Sequence, residues 1–185
     1  SYDGAGQVTE VRNLDKKGKL QSSYRYGYDL SGSIRTEEIR TSDGKGHESA
    51  VIQTYAYDSA GQLVETEKKA EDGTLLETTS YGYDGAGNRI QTETNLHTIR
   101  KAVTEVNQYN GANQLVSSRR TESVGSAGDA DGSGGGKASE KGGLTEYLYD
   151  QNGNRIRELK NGEEARSYAY DTENRLIAVR DRKGL

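Results

Sequence analysis

A nine-residue unit, Tyr-x-Tyr-Asp-x-x-Gly-x-aliphatic, recurs along the chain and constrains its fold more than any other feature. Its clearest copy is Tyr55-Ala56-Tyr57-Asp58-Ser59-Ala60-Gly61-Gln62-Leu63. The tyrosine that precedes Asp or Asn occurs seven times, at Tyr2, Tyr28, Tyr57, Tyr83, Tyr109, Tyr149 and Tyr170. Their spacings are 26, 29, 26, 26, 40 and 21 residues. A period of this length indicates an array of small structural repeats.

The chemistry of the unit predicts a β-hairpin. Tyrosines at positions i and i+2 lie on one face of a strand. Such doublets are Tyr26/Tyr28, Tyr55/Tyr57, Tyr81/Tyr83, Tyr147/Tyr149 and Tyr168/Tyr170. The Asp that follows is expected to open a turn, with its carboxylate accepting backbone N–H groups. The fourth residue after the Tyr is Gly6, Gly32, Gly61, Gly87 or Gly153, and otherwise Asn113 or Asn174. These residue types favour the left-handed conformation that a three-residue hairpin loop with a bulge requires.

This loop length predicts the pairing register. Asp58 should oppose Gln62, and Tyr57 should oppose Leu63. The same count pairs Tyr2 with Val8, Tyr28 with Ile34, Tyr109 with Leu115 and Tyr170 with Leu176. Two copies carry Gly-Asn-Arg-Ile, and there we expect a loop that is one residue longer, with Tyr83 opposite Ile90 and Tyr149 opposite Ile156. Looser return turns are predicted at 15–18, 42–46, 71–73 and 161–162, the last being an Asn-Gly of type I′.

The composition excludes several classes of protein. Leu, Ile and Val number 13, 7 and 9 in 185 residues, with no Phe, Met or Trp, so a thick hydrophobic core is not expected. The net charge is −4, and Lys and Arg residues are scattered among Asp and Glu residues, so no basic surface for nucleic acid is expected. No apolar stretch is long enough for a membrane-spanning helix, so direct membrane insertion is not expected. The absence of Pro suits a long series of paired strands.

The longest spacing contains a Gly/Ser-rich stretch. We predict repeat hairpins over 1–124, a flexible insertion over 125–143 and further hairpins over 144–185. Within the insertion, Asp129, Asp131, Ser133, Gly134 and Glu140 match the spacing of a calcium-binding EF-hand loop. Helical flanks are absent and the aliphatic position is Gly136, which favours a polar linker over a calcium site. The pattern begins at a turn whose incoming strand is missing and ends, over 179–185, where a return turn would lead to another strand, so we expect a segment of a longer array.

No catalytic, cofactor-binding or metal-binding residues are assigned from the sequence. His47 and His97 have no second His at ligand spacing, and no G-x-S-x-G nucleophile motif occurs. An Asp that recurs in every repeat is more typical of a turn residue than of a catalytic acid. The Tyr doublets could stack on sugars or bases, but cross-strand ladders explain them more simply. The predicted fold is therefore all-β, an antiparallel meander of tandem β-hairpins that forms a curved or spiralling sheet, and the chain is not expected to be an enzyme.

The repeated Tyr-x-Tyr-Asp-x-x-Gly-Asn-Arg-Ile and Tyr-x-Tyr-Asp-x-x-Gly-Gln-Leu motifs closely resemble the YD or RHS repeats. These occur in bacterial Rhs and cell-wall-associated polymorphic toxins, in the C components of insecticidal toxin complexes and in teneurins. The resemblance covers the chain except for its Gly-rich insertion. It implies a segment of a hollow shell, which in the bacterial toxins encloses a C-terminal toxin and ends in a self-cleaving core. Asp181-Arg182-Lys183-Gly184-Leu185 lacks the Pro of that core motif, so self-cleavage is not transferred.

Two functional hypotheses follow from the resemblance. The first is a structural wall segment of a secreted or bacterial cell-surface protein, with neighbouring YD repeats of the same or another chain and an enclosed toxin or other passenger as partners. The alternative is a cell-surface adhesin or recognition stalk that binds glycans or a receptor protein. A hydrolase is a third and weaker possibility. No nucleic-acid partner and no cofactor are expected.

Overall fold

A computed structural model describes residues 1–45, 47–125 and 139–182. Within these ranges there are thirteen β-strands, which follow one another as an antiparallel meander in chain order. They are β1 (Glu10–Leu14), β2 (Leu20–Tyr28), β3 (Ile34–Ser42), β4 (Glu48–Tyr57), β5 (Leu63–Ala70), β6 (Leu75–Tyr83), β7 (Arg89–Leu96), β8 (Lys101–Tyr109), β9 (Leu115–Val124), β10 (Ser139–Tyr149), β11 (Arg155–Lys160), β12 (Glu163–Tyr170) and β13 (Leu176–Asp181). A 3₁₀ turn, His97–Ile99, joins β7 to β8. The all-β prediction is confirmed.

The strands divide between two compact units. The first comprises Ser1–Ser80 and Thr94–Arg100, and the second comprises Tyr81–Glu93 and Lys101–Leu185. In the first unit β1 to β5 pair in sequence, and β5 pairs with the first part of β6. In the second unit β8 to β13 pair in sequence. Every one of these pairings is antiparallel, as tandem hairpins require.

The Tyr-Asp loops share one geometry at all seven positions. The Asp or Asn N–H donates to the carbonyl four residues later at 2.9–3.0 Å, and its own carbonyl accepts the N–H three residues later at 3.0–3.1 Å. The donor of that second bond has positive φ in every loop, for example Gly61 at 79° and Asn113 at 58°. These are the three-residue loops with a bulge that the sequence predicted. Tyr57 indeed pairs with Leu63, and the register shifts between Ala56 and Tyr57.

The register predictions hold for the simple copies and fail for the Gly-Asn-Arg-Ile copies. Pairs Tyr2–Val8, Tyr28–Ile34, Tyr109–Leu115 and Tyr170–Leu176 are confirmed. Tyr149, however, pairs with Arg155 instead of Ile156. The reason is that the loop has its ordinary length, since Asp150 N–H donates to the Asn154 carbonyl at 2.9 Å. The 84–88 loop closes in the same way at 3.0 Å and β7 begins at Arg89, so the longer loop predicted before Ile90 is also wrong.

The return turns are more varied. Asp15 and Gly18 form another bulged loop, with Gly18 at φ 78°. Asn161 and Gly162 both have positive φ, 52° and 82°, as a type I′ turn requires. The 3₁₀ turn with Arg100 at φ 48° was not predicted. One end of the hairpins is therefore uniform, and the other tolerates several turn types.

Residues 139–143, predicted to belong to the flexible insertion, lie in β10. Ser139 pairs with Val124 and Gly143 pairs with Arg120. Strand pairing with β9 thus overrides the local glycine content at this end of the insertion. Asp129, Asp131, Ser133 and Gly134 of the predicted calcium loop lie outside the described residues, as does the side chain of Glu140, so the calcium site and the polar-linker alternative stay predictions.

The sheet has almost no apolar interior. Among the described residues, Ala50 is the one buried hydrophobic side chain, at 5% exposure. The other buried residues are polar: Ser23, Thr66, Thr79, Asn107 and Glu158. Large apolar side chains remain exposed, such as Leu176 and Ile177 in β13. Stability must therefore come largely from backbone ladders and cross-strand contacts, as the composition indicated. Within the described part of the chain, no helix has the length and apolar character to cross a membrane.

Candidate functional site: the tyrosine face

The side-chain carboxylate of each loop Asp acts as a structural anchor. Asp58 Oδ1 accepts the N–H of Ala60 and the N–H of Gln62, both at 2.9 Å. The same pair of bonds occurs in all seven loops, including the loop where Asn110 replaces Asp. Hydrogen bonds to a carboxylate favour its charged form. They help to lower the pKa of the Asp29, Asp84, Asp150 and Asp171 side chains below its ordinary value.

The tyrosine before the Asp links its hairpin to the preceding one. Tyr57 O–H donates to the Ile34 carbonyl at 3.0 Å, 23 residues earlier in the chain. Equivalent bonds join Tyr28 to Val8, Tyr109 to Arg89, Tyr149 to Leu115 and Tyr170 to Arg155, at 2.7–3.3 Å. In each case the acceptor lies six residues after the tyrosine of the preceding Tyr-Asp loop. Four of these acceptors pair with that tyrosine in the sheet, namely Val8, Ile34, Leu115 and Arg155. We call these bonds the hydroxyl links.

Side-chain amides add a second set of contacts between neighbouring loops. Gln7 Nε2 donates to the Gly32 carbonyl at 3.4 Å, and Gln114 Nε2 donates to the Gly153 carbonyl at 3.3 Å. Asn88 Nδ2 reaches Asn113 Oδ1 at 3.1 Å, and Asn154 Nδ2 reaches Asn174 Oδ1 at 2.8 Å. Within each unit the loops are therefore tied to one another and do not project independently.

Arginine side chains pack on the tyrosine rings. Arg155 lies 5.0 Å from the ring centroid of Tyr147 and 5.7 Å from that of Tyr168. Arg35 lies over Tyr57 at 5.2 Å, and Arg89 lies over Tyr81 at 5.6 Å. Contacts within about 6 Å are attractive because the ring face is electronegative. This packing explains why Arg155 can occupy the position that an aliphatic residue holds in other hairpins.

Two glutamates are held between tyrosines of neighbouring strands. In the first unit Glu37 pairs across from Tyr26 and accepts the Tyr55 hydroxyl at 2.9 Å. In the second unit Glu158 pairs across from Tyr147 and accepts the Tyr168 hydroxyl at 3.2 Å. We call these the Tyr–Glu–Tyr clusters. Lys160 and Arg166 also approach Glu158, at 3.6 and 3.9 Å, which compensates the charge of this buried carboxylate.

Three tyrosines of the clusters, Tyr26, Tyr55 and Tyr147, have a raised side-chain pKa. Burial raises the pKa of Tyr55, and the hydrogen bond to Glu37 raises it further. Burial followed by the charge of Glu37 raises the pKa of Tyr26. For Tyr147 the pKa is raised by burial and by the charge of Glu158. At neutral pH these hydroxyls are hydrogen-bond donors, which suits a structural or recognition role better than a role as a phenolate base.

The two histidines lie outside the tyrosine contacts described above. His47 Nδ1 contacts Asp43 Oδ2 at 2.9 Å in a return turn, and His97 Nε2 contacts Thr78 Oγ1 at 3.1 Å. Across the described ranges, no three or more His, Cys, Asp and Glu side chains gather as a metal site would require. Sequence reasoning predicted ladders of tyrosines between hairpins, but it did not predict the bonds from the tyrosine hydroxyls to backbone carbonyls. The available signal was that each acceptor lies six residues after the tyrosine of the preceding Tyr-Asp loop.

Known proteins share this architecture. A search of curated proteins finds no match. A crystal structure described as TcdB2-TccC3 without hypervariable C-terminal region matches with a TM-score of 0.53 and 16% identity, over 91% of this chain and 10% of that chain. A TcdB2-TccC3-TEV structure also matches, with a TM-score of 0.48 and 16% identity, over 91% of this chain and 10% of that chain. At this identity the first likeness shows the fold alone.

The chain spans 10% of the length of the first of these structures. A family model for the teneurin YD-shell matches residues 1–185, which is the whole chain. The predicted resemblance to YD-repeat proteins is thereby confirmed. With its repeated Tyr-Asp hairpins, this chain belongs to the teneurin YD-shell family, as a structural segment of a shell.

Proposed function

We propose that this segment forms part of a curved wall that encloses a passenger, such as a C-terminal toxin, in a secreted or bacterial cell-surface protein. The hydroxyl links carry the proposal. Each one bonds a hairpin to the backbone of the hairpin before it. The same hydrogen bond therefore recurs as hairpins are added to the wall. The wall itself performs no chemistry, and catalysis would belong to the passenger.

The polar character of the sheet supports enclosure. Charged residues make up 29% of the chain, and Leu, Ile and Val number only 13, 7 and 9 in 185 residues, so the wall offers few apolar groups to an unfolded passenger even though side chains such as Leu176 and Ile177 are exposed. Ion pairs such as Arg25–Glu10 at 3.2 Å cover the strands on the face opposite Tyr24 and Tyr26. A passenger would therefore be retained by the wall's closure and not by strong binding to it.

The test uses the full-length natural protein that contains this segment. We expect the passenger to resist added protease while the wall is intact, and to become sensitive when Tyr57→Phe and Tyr149→Phe remove two hydroxyl links. Tyr2→Phe is the control, because Tyr2 is 71% exposed. A passenger that is digested equally fast in the unmodified protein and after release from it would refute enclosure.

The alternative is a recognition stalk, and the Tyr–Glu–Tyr clusters favour it. Tyrosine rings beside a carboxylate acceptor are a suitable surface for sugar rings and their hydroxyl groups. A glycan array would report reproducible binding that is lost in Tyr147→Ala and Tyr168→Ala. Binding that persists in both variants would exclude the Glu158 cluster as the site.

A further inference from the structure

Three Asn-Gly dipeptides occur in the chain, and the fold treats them differently. They are Asn110-Gly111, Asn152-Gly153 and Asn161-Gly162, and all six residues are exposed. Asn-Gly sequences can cyclise, because Gly has no side chain to hinder attack of its backbone nitrogen on the Asn side-chain amide. All three are exposed and share the Asn-Gly sequence, so a difference in reactivity must come from backbone conformation and hydrogen bonding. Gly153, Asn161 and Gly162 have positive φ, whereas neither residue of the 110–111 dipeptide does.

We propose that Asn110-Gly111 is a self-modification site, at which Asn110 converts spontaneously to aspartate or isoaspartate through a cyclic imide. Asn110 stands where the other six loops have Asp. The reaction therefore converts the one amide-bearing loop into the acidic type. It requires water and no cofactor.

The Asn110 side chain is held in a reactive arrangement. Its Oδ1 accepts the N–H groups of Ala112 and Gln114, both at 3.0 Å. The hydrogen bond from Ala112 N–H to Asn110 Oδ1 closes a ring of atoms that includes the Gly111 nitrogen. This ring keeps Asn110 Cγ on the same side as the Gly111 nitrogen that attacks it. Negative charge develops on Oδ1 during the attack, and the same two N–H donors stabilise that charge.

The attacking nitrogen is also available. In the described part of the chain, the Gly111 N–H has no hydrogen-bond acceptor, and a Cβ placed on Gly111 would meet nothing within 4 Å. Water and base can therefore reach this N–H. A substitution to Ala would also fit without displacing a neighbour, which makes Gly111→Ala a usable test variant.

The other two dipeptides are restrained. The Gly153 N–H donates to the Asp150 carbonyl at 3.1 Å, so its nitrogen is already engaged. The Asn161 Oδ1 instead accepts the N–H of Leu144 in β10 at 2.8 Å, and Asn161 N–H donates to the Leu144 carbonyl at 2.8 Å. These bonds direct the Asn161 side chain away from its own loop. Both sites serve as internal controls within one molecule.

The chemistry balances without an outside reagent except water. Base removes the Gly111 amide proton, and the nitrogen attacks Asn110 Cγ. The Cγ–Nδ2 bond breaks and Nδ2 leaves as ammonia. Water then opens the imide: attack at Cγ gives aspartate with the normal backbone, and attack at the main-chain carbonyl carbon gives isoaspartate.

The conversion would change a contact within the loop. Asn110 Nδ2 donates to Gln114 Oε1 at 2.8 Å. A carboxylate at position 110 cannot donate to Gln114 Oε1, so this bond is lost. The bond from Gln114 Nε2 to the Gly153 carbonyl, at 3.3 Å, can remain, because Gln7 makes the equivalent bond to the Gly32 carbonyl in a loop that begins with Asp3.

Peptide mass mapping of the purified chain, incubated at neutral and mildly alkaline pH in ¹⁸O-water, tests the proposal. In the folded chain we expect Asn110 to incorporate the label about tenfold faster than Asn152 or Asn161, given the effect of such donors. In urea the three rates should converge. Gly111→Ala should slow the Asn110 reaction and leave the other two sites unchanged.

Three outcomes would overturn the proposal. One is a folded chain in which Asn152 or Asn161 converts as fast as Asn110. A second is an Asn110 conversion rate that exceeds the rates at Asn152 and Asn161 by the same factor in urea as in the folded chain. The fold would then not be the cause of the faster reaction. Ammonia release that fails to match the label at Asn110 would likewise exclude the imide route.

Discussion

The Tyr149 hydroxyl donates to the Leu115 carbonyl at 2.8 Å, across a sequence separation of 34 residues. Equivalent links elsewhere span 15 to 23 residues. The Gly/Ser-rich insertion lies between these two residues, yet the link has the same partners by position. The insertion therefore enters at the return-turn end of the hairpins and leaves the Tyr-Asp end intact.

Tyr149→Phe should destabilise the chain by about 1 kcal/mol, because it removes one partly buried hydrogen bond and little else. Urea unfolding followed by circular dichroism measures this change. Tyr2→Phe is the matched control, since Tyr2 is 71% exposed, and it should change stability by less than about 0.5 kcal/mol. Equal effects of the two substitutions would show that the hydroxyl link does not stabilise the fold.

Gly61→Val should destabilise by about 1–3 kcal/mol, because Gly61 has φ 79° and a β-branched residue is strained there. A Cβ at Gly61 would meet nothing within 4 Å, so the cost is purely conformational. Gly85→Ala, in the next Tyr-Asp loop and equally unobstructed, should be nearly neutral. A Gly61 variant as stable as the Gly85 variant would contradict the requirement for a left-handed residue.

The loop geometry could be predicted from sequence because its causes are local. Asp58 and Gly61 each specify a conformation of their own backbone, and the loop length then determines which residues pair. The same reasoning failed at Arg155, where an aliphatic partner for Tyr149 was assumed. The guanidinium of Arg155 packs on Tyr147 and Tyr168, and this contact needs no aliphatic residue.

The hydroxyl links and the buried glutamate could not be predicted in the same way. A backbone carbonyl accepts hydrogen bonds at every residue, so nothing in the identity of Leu115 marks it as the partner of Tyr149. The burial of Glu158 depends on Tyr147 and Tyr168 in two neighbouring strands. Both features depend on how hairpins are placed beside each other, which a single repeat does not encode.

Glu158→Ala should destabilise by about 1–3 kcal/mol, because it leaves the partly buried Tyr168 hydroxyl without its acceptor. It also leaves Lys160 and Arg166 without the carboxylate that they approach. Glu65→Ala is the control, since Glu65 is exposed in β5, and it should have a small effect. Thermal unfolding of both variants at neutral pH provides the comparison. A loss of stability no greater for Glu158 than for Glu65 would argue against the cluster as a stabilising element.

The chain should lose stability on acidification below about pH 4, the usual pKa of Asp in an unfolded chain. The pKa of Asp84 and that of Asp150 are lowered in the fold, first by hydrogen bonds from Asn88 and Asn154. Lys101 and Arg120 lower the pKa of Glu122 to about 2. Groups with a lowered pKa stabilise the fold fully above their unfolded pKa, and this stabilisation is lost as the pH falls through the folded pKa.

Two reciprocal variants test whether the loop carboxylates cause this loss. Asp150→Asn keeps an Oδ1 acceptor, as Asn110 does in its own loop, but it cannot titrate, so stability should fall less steeply between pH 5 and pH 2. Asn110→Asp places a titratable carboxylate where it accepts the N–H groups of Ala112 and Gln114. The stability of this variant should therefore fall more steeply as the pH is lowered. Urea midpoints measured across this pH range would decide, and unchanged slopes in both variants would show that acid unfolding arises outside the Tyr-Asp loops.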